Sequence, residues 1–264
     1  MCEANVYIIR NGREELLMEK VDHIVPSNEG TIFLESIFGE RKVVKASIRE
    51  MELVHHRIIL DEIEESGSHD RQLEIWLEPD TTHGHFHEGE KVEVNLFKGY
   101  NMHQVSDQNF TGALAFVAAN GEKFPADIRE YDSNMKITLD QEIDGLVQMY
   151  AVMGNLWAKT VVEVGHHHHH GIEPAGMPLE IVPSDYSHAR LGESYEVQVL
   201  KEDKPLAGAQ VKATYTGTHN EDYPHRLTTD SEGKARLFLT ARGNYLFSVS
   251  DGDITSTFTL IKSF

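Results

Sequence analysis

Apolar and polar residues alternate over short runs along most of this 264-residue chain, a pattern typical of strands with one buried face. The runs are separated by turns that carry Gly, Asn, Asp or Pro. Asn11-Gly12, between apolar runs at residues 6–9 and 16–21, is the strongest short signal for a β-hairpin. The pattern therefore predicts an all-β protein.

The spacing of the runs divides the chain into predicted domains. Residues 1–66 form a short meander, and a sheet this small protects its edges best by closing into a small β-barrel. Residues 68–165 and 177–264 each carry several short strands, which predicts two antiparallel β-sandwiches, the last immunoglobulin- or prealbumin-like with about seven strands. Residues 166–176 are predicted to be a His-rich linker between the sandwiches.

Composition limits the classes of function. The formal net charge is −19 at pH 7, which argues against a nucleic-acid partner, because phosphate binding needs a basic face. The longest apolar run, residues 113–119, is too short to span a bilayer, and the N-terminus lacks the pattern of a secretory signal. One cysteine in the chain suits a reducing compartment. We therefore expect a cytoplasmic protein with no membrane partner.

Five consecutive histidines between two glycines form the most unusual stretch of the sequence. Imidazole is the commonest side-chain metal ligand, and glycine allows the backbone to fold around an ion. The stretch lies inside the chain, away from the termini where purification tags are placed, although an engineered insert or an inert linker remains an alternative. The candidate ligands are His166, His167, His168, His169 and His170.

A second histidine-rich motif lies in the first predicted sandwich. His83, His85 and His87 alternate with other residues, so an extended backbone would place their imidazoles on one face, as a metal requires. A polar loop without a ligand role is the alternative interpretation. His69 and His103 are weaker metal-ligand candidates.

Cys2 directly follows the initiator methionine. Methionine aminopeptidase generally removes Met before a small residue, so we expect Cys2 to begin the mature chain. Its free α-amine and thiolate can then close a five-membered N,S chelate on a soft or borderline divalent ion. The alternative interpretation is that Cys2 has no ligand role and is an incidental or buried small residue.

The N-terminal quarter carries a family resemblance. A Met-Cys start, a small β meander and a closing segment LVHHRIIL at residues 53–60 resemble the CooT family, small nickel-binding proteins associated with carbon monoxide dehydrogenase maturation. The resemblance implies that Cys2 binds nickel and that two chains of a homodimer share the ion. His55 and His56 fit solvated turn residues better than ligands.

The remainder, about residues 69–264, resembles a second family. The motifs are HDxxxEIWLEP, the histidine-rich loop, GxPLEIVP, and the PLAGA and TDSEGKA turns of the last sandwich. They resemble nickel-uptake-associated proteins of unknown function encoded near nickel and cobalt transporters, such as NikM-like periplasmic components. Those proteins usually carry a secretion signal, whereas here the CooT-like region occupies that position.

No catalytic residues or organic-cofactor motifs are predicted, because the sequence contains no nucleophilic triad, phosphate-cradling loop or dinucleotide fingerprint. The resemblances favour a nickel(II)-binding accessory protein, a metallochaperone or store, which delivers nickel to an apo-nickel enzyme or its maturation factors. Zinc, cobalt or copper would also bind such ligands in vitro. A docking module of a nickel or cobalt uptake system and a metallohydrolase built on His83, His85, His87 and Glu88 are the alternatives.

Overall fold

The computed structural model describes residues 3–10, 13–26, 31–63, 72–79, 85–131, 134–139, 143–165, 171–184, 190–218, 220 and 222–261. Regular structure in this part of the chain is β, apart from the 3-10 helix Leu53–His55. No helix among these residues is long and apolar enough to cross a membrane. The all-β prediction is confirmed.

Two compact units make up the chain, one of Met1–Asp70 with Gly217–His225 and the other of Arg71–Thr216 with Arg226–Phe264. The strands in chain order are β1 (Ala4–Arg10), β2 (Arg13–Pro26), β3 (Thr31–Ser36), β4 (Arg41–Glu52), β5 (Arg57–Glu62), β6 (Glu74–Pro79), β7 (His85–Phe86), β8 (Val92–Tyr100), β9 (His103–Gln104), β10 (Leu114–Ala119), β11 (Glu122–Tyr131), β12 (Asn134–Leu139), β13 (Gly145–Met153), β14 (Leu156–Val164), β15 (Leu179–Pro183), β16 (Ser194–Lys201), β17 (Lys204–Pro205), β18 (Gln210–Tyr215), β19 (His225–Thr228), β20 (Lys234–Phe238), β21 (Tyr245–Asp251) and β22 (Ile254–Leu260).

Strands β1 to β5 form a closed barrel, as predicted. Each strand pairs antiparallel with the next, and β1 closes the ring by pairing in parallel with β5. Alternate residues such as Val6, Ile8, Leu34 and Leu60 are buried in the barrel core. Closure leaves few unpaired backbone groups, which is how so short a sheet remains stable.

A side chain from the segment Gly217–His225 hydrogen-bonds to the part of β4 that does not pair with β5. The start of β4 pairs with β3, while its pairing with β5 extends only over residues 46–52. At Val43 the backbone N–H donates to Asn220 Oδ1 at 3.0 Å, and Asn220 Nδ2 donates to the Val43 carbonyl oxygen. The Asn220 amide therefore takes the place of a neighbouring strand's peptide group.

Strand β11 is the bend that connects the two sheets of the middle region. Residues 122–126 pair with β10, whereas residues 127–131 pair with β12. Each half thus leaves one side of its backbone without a described partner strand, so β11 accommodates Pro125 and many charged residues. The sequence pattern did not predict this strand, for the same reason.

The sandwich folds predicted for the rest of the chain are confirmed, with one feature that was not predicted. Strand β22 pairs in parallel with β14, so one continuous series of 13 described strands, bent at β11 into the two sheets of the middle region, runs through both regions. The sheet of β15, β16, β17 and β20 packs against β21 and β22 through β15. In the middle region, β6 packs against β14 and β22, and Thr257 Oγ1 donates to the Ile75 carbonyl oxygen at 2.7 Å.

A buried ion pair lies between β14 and β15. Lys159 Nζ is 2.5 Å from Glu180 Oε1, and both residues are fully buried. The Glu180 carboxylate also accepts hydrogen bonds from the backbone N–H groups of Ala175, Gly176 and Met177. Burial lowers the pKa of Lys159, and the Glu180 charge opposes that effect. The carboxylate therefore satisfies the Lys159 amine and the N–H groups of Ala175 and Met177, three donors that would otherwise be buried without partners, and also the N–H of the exposed Gly176.

Replacing Glu180 should destabilise the protein more than replacing Lys159. Glu180→Ala is expected to cost about 3–5 kcal/mol, because it leaves a buried amine and two buried N–H groups without their partner. Lys159→Met should cost less, since the carboxylate keeps its backbone donors. Urea unfolding measures the free energy of unfolding of both variants.

As a control, Lys201→Met, which removes a half-exposed ion pair with Asp251, should change the free energy of unfolding by less than about 1 kcal/mol. Equal losses for Glu180 and Lys159 would contradict this account.

His225, the first residue of β19, is a buried titratable group outside any ion pair that the structure describes. It is 3% exposed, and neither ring nitrogen has a hydrogen-bond partner among the described residues. Burial lowers its pKa from 6.5 to about 4. The imidazole is therefore neutral at pH 7, and the unfolded chain takes up a proton at higher pH than the folded chain.

Folding stability should consequently fall as pH drops from about 6.5 to about 4. The His225 contribution to this loss is expected to be about 3 kcal/mol, and stability should be fully retained above pH 6.5. Urea midpoints at pH 7 and pH 4 compare wild type with His225→Leu, which should lose much less stability. The exposed-histidine variant His55→Gln should follow wild type. Parallel pH profiles for wild type and His225→Leu would show that this histidine is not responsible.

Candidate functional site

The N-terminal end of the barrel is the region nearest in sequence to Cys2, which itself lies outside the described residues. Strand β1 begins two residues after Cys2, at Ala4, and the Asn5 N–H donates to the His56 carbonyl oxygen at 2.8 Å. The turn with His55 and His56 therefore lies beside the start of β1.

The two histidines of this turn have different local environments. His55 is exposed, and its Nδ1 is 3.7 Å from Glu52 Oε2. His56 is also exposed and adopts a left-handed backbone conformation, with φ of 53°. Both positions agree with the expectation of solvated turn residues. Their exposure also leaves the imidazoles accessible from solvent.

The alternating histidine motif is partly described. His83 and His69 lie outside the described residues, and His85 is placed by its backbone as the first residue of β7. His87 is exposed, and its N–H donates to Glu90 Oε2 at 2.7 Å in the turn that follows. Between them, Phe86 is 5% exposed and packs in the core of the middle region. This buried phenylalanine anchors the motif at the edge of the sheet.

Strand β7 pairs with the end of β14, directly before the five-histidine stretch. His85 pairs with Glu163 and Phe86 with Val164, and the Gly165 N–H donates to the Phe86 carbonyl oxygen at 2.9 Å. Residues 166–170 lie outside the described part of the chain. The structure thus joins the N-terminal flank of the stretch to the motif that carries His85 and His87, about 80 residues earlier in the sequence.

The C-terminal flank of the stretch is also fixed. Ala175 and Met177 are buried against an aromatic layer that includes Tyr150. Gln148 Nε2 donates to the Glu173 carbonyl oxygen at 2.8 Å, and Lys123 Nζ donates to that of Ala175. With the three N–H groups held by Glu180, which pairs with Lys159, this segment is connected to β11, β13 and β14. The burial of Tyr150 and the nearby Glu180 charge both raise the pKa of this tyrosine.

His103 lies in β9, is exposed, and belongs to a different part of the sheet. Strand β9 folds back on β8, and His103 pairs with Tyr100. The approach is so close that a Cβ on Gly99 would lie 2.0 Å from the His103 carbonyl oxygen, so position 99 requires glycine. Backbone pairing therefore does not bring His103 to the β7 edge.

Within the described ranges, no group of three or more His, Cys, Asp or Glu side chains is arranged to hold a metal ion. The sequence analysis missed Lys159, Glu180 and Gln148, which hold the segment after the five histidines. Their signal is a single polar or charged residue within an apolar strand, as in LEIVP at residues 179–183. A buried charge of this kind needs a partner, although the sequence does not identify which one.

Two family models match the chain. CO dehydrogenase accessory protein CooT matches residues 1–61, and Domain of unknown function (DUF4198) matches residues 144–252. Both resemblances noted in the sequence are thus confirmed over these ranges. A search of curated proteins finds no match.

Several solved structures are similar to this chain or to parts of it. A CooT protein from Carboxydothermus hydrogenoformans is 49% identical, covers 24% of this chain and 100% of its own, and gives a TM-score of 0.22. The D0-D1 domain of intimin is 20% identical, with coverage of 71% and 97% and a TM-score of 0.24. Salmonella alpha-2-macroglobulin is 12% identical, with coverage of 90% and 17% and a TM-score of 0.28.

The identity of 49% over the whole length of a CooT protein, together with the family match and the closed barrel, fixes the relationship of the N-terminal region. Through residues 1–61, this chain belongs to the CooT family of CO dehydrogenase accessory proteins.

Proposed function

We propose that the protein is a nickel(II)-binding accessory protein that captures nickel and delivers it to a metalloenzyme such as carbon monoxide dehydrogenase. The observation that carries this proposal is the CooT membership of a barrel preceded by Met1-Cys2. In the proposal, Cys2 is the specific soft ligand, and two chains share one ion through their N-terminal domains. No reaction is assigned to the protein.

Local geometry supports a ligand role for Cys2. The residue lies two positions before β1, and β1 starts beside the exposed turn of His55 and His56. A thiolate and α-amine at this end of the barrel would approach nickel from solvent without opening the apolar core. Because a free thiolate persists best in a reducing compartment, the proposal places the protein in the cytoplasm.

The second unit is proposed to supply weaker, exchangeable nickel ligands. Pairing of β7 with the end of β14 supports this, since it joins the strand that begins with His85, within the His83, His85 and His87 motif, to Gly165, the residue before the His166 to His170 stretch. Imidazoles bind nickel as neutral groups, and ligands on adjoining segments can exchange an ion. His103 lies in β9, which pairs with β8, and His69 lies outside the described residues, so both remain minor candidates. Other divalent ions would compete in vitro, copper most strongly.

Nickel titration of two variants tests this division. Cys2→Ser should abolish a tight site with about one nickel per two chains, because the thiolate is lost. Replacement of residues 166–170 by serine should keep the tight site and remove weaker ones. Calorimetry, with bound metal measured by mass spectrometry, gives affinity and stoichiometry, and each variant controls for the other. An unchanged tight site in Cys2→Ser would refute the role of Cys2.

The weaker sites should also depend on pH. Protonated imidazole does not bind metal, so nickel affinity of these sites should fall as pH drops through about 6.5, by up to about tenfold per pH unit for each histidine ligand. Titrations of Cys2→Ser between pH 8 and pH 5 isolate this effect from the thiolate. A constant nickel affinity across that range would exclude the histidines as ligands.

A further inference from the structure

Asn5, the second residue of β1, is held through both its backbone and its side chain. Its N–H donates to the His56 carbonyl oxygen at 2.8 Å, and its Oδ1 accepts a hydrogen bond from the Lys20 N–H at 3.2 Å. The first contact joins Asn5 to the turn before β5, and the second joins it to β2. Asn5 thus connects the start of β1 to the elements on both of its sides, three residues after Cys2.

Both residues that hold Asn5 have a left-handed backbone. Lys20 has a φ of 52° and His56 has a φ of 53°, a conformation that costs free energy in residues other than glycine. The other non-glycine residues with positive φ in the described part of the chain lie in two-residue hairpin turns, where that conformation is expected. They are Asn101, Met102, Asn120, Glu202 and Asp203. The described left-handed residues outside such turns, Lys20 and His56, therefore both contact Asn5.

The conformation of Lys20 belongs to a β-bulge in β2. Ala4 pairs with Val21 and Val6 pairs with Met18, so two residues of β2 lie opposite Asn5 alone. The Lys20 carbonyl oxygen accepts a hydrogen bond from the Ile37 N–H at 3.0 Å, in the turn between β3 and β4. The bulge is thus held from one side by this turn and from the other by the Asn5 side chain. Bulges of this kind re-direct a strand and are common beside functional sites.

A strained backbone persists where its neighbours impose it, and it occurs preferentially at sites whose geometry matters. The proposed nickel site needs a defined geometry, because thiolates from two chains must reach one ion. Each residue that has to be ordered when the ion binds costs conformational entropy. Fixing the chain at Asn5 limits the number of residues that must be ordered for Cys2 to bind.

We propose that Asn5 is a positioning residue for nickel binding by Cys2. Its side chain holds the bulge of β2 and its backbone holds the turn of His56, so that the N-terminal segments of two chains present their thiolates to one ion. Asn5 itself does not bind the metal. This inference rests on the proposed role of Cys2 and adds to it the residue that supplies the geometry.

Nickel titration of Asn5 variants tests the proposal. The parent protein is the full chain with residues 166–170 replaced by serine, which removes the proposed weaker sites. Asn5→Leu is similar in size but has no acceptor, and it should weaken the tight site about tenfold, as is usual when a group that orients a metal ligand is lost. Asn5→Asp keeps an acceptor for the Lys20 N–H and should retain the parent affinity within about threefold.

Two further measurements separate positioning from stability. Hydrogen exchange of the Lys20 amide should be faster in Asn5→Leu and unchanged in Asn5→Asp, because the leucine variant alone removes its acceptor. Thiolate-to-nickel charge-transfer absorption identifies binding by Cys2 in each titration. As a matched control on the same strands, Glu14→Gln removes a partly exposed ion pair with Arg57 and should leave nickel affinity unchanged.

Several results would overturn the proposal. If Cys2→Ser loses the tight site while Asn5→Leu binds nickel like the parent, the positioning role fails and the proposed function stands. Equal losses in Asn5→Leu and Asn5→Asp would show that the acceptor is irrelevant. A loss in Glu14→Gln as large as that in Asn5→Leu would show that barrel stability governs binding. A tight site that survives Cys2→Ser would refute the proposed function itself, and the positioning role with it.

Discussion

The Glu180 carboxylate is the constraint on which the segment after the five histidines depends. A buried carboxylate is stable only when its charge and lone pairs are satisfied, and Glu180 meets this requirement with Lys159 and three consecutive backbone N–H groups. Those N–H groups belong to the segment that follows the five histidines. The need to satisfy one buried charge thereby fixes the position of residues 175–177, which follow that stretch.

The other flank is fixed by ordinary sheet pairing. Strand β14 pairs with β22 over residues 156–160, and β7 continues the same edge at residues 163–164. The two-residue strand β7 would be unstable alone, but Phe86 is buried in the core and secures it. A single apolar residue between His85 and His87 thus secures the pairing of β7 with the strand that precedes the five histidines.

Much of the fold could be predicted from local sequence. The turn at Asn120 and Gly121, for example, has left-handed φ values of 52° and 79° at its two residues, as the Asn-Gly pair indicates. Strand β11 could not be predicted from the sequence pattern, because its first half pairs with β10 and its second half with β12. The alternation of apolar and polar residues that burial of one face produces is therefore absent from this strand. The parallel pairing of β14 with β22 and the contact of β7 with β14 were not predicted either. They join residues far apart in sequence, and no local pattern encodes such partners.

The candidate site shows the same division between local and non-local information. Residue types that bind metals are visible in the sequence, as at His85 and His87, because ligand chemistry belongs to the individual side chain. Their supporting groups are not visible as such. In the sequence, Glu180 is a single charged residue within an apolar strand and Gln148 is a single amide. Their partners, the Ala175 N–H and the Glu173 carbonyl oxygen, are known only from the folded structure.

The proposed division of ligands between the two units follows from the chemistry of the donors. In the proposed function, the Cys2 thiolate would bind a divalent ion through a strong, soft donor, while the imidazoles would release the ion when they are protonated. The described residues on either side of the five histidines are held by the Gly165 and Ala175 backbone hydrogen bonds to Phe86 and Glu180. Metal affinity could then be graded by ligand chemistry and pH, because neither flank has to rearrange for the imidazoles to gain or lose a proton.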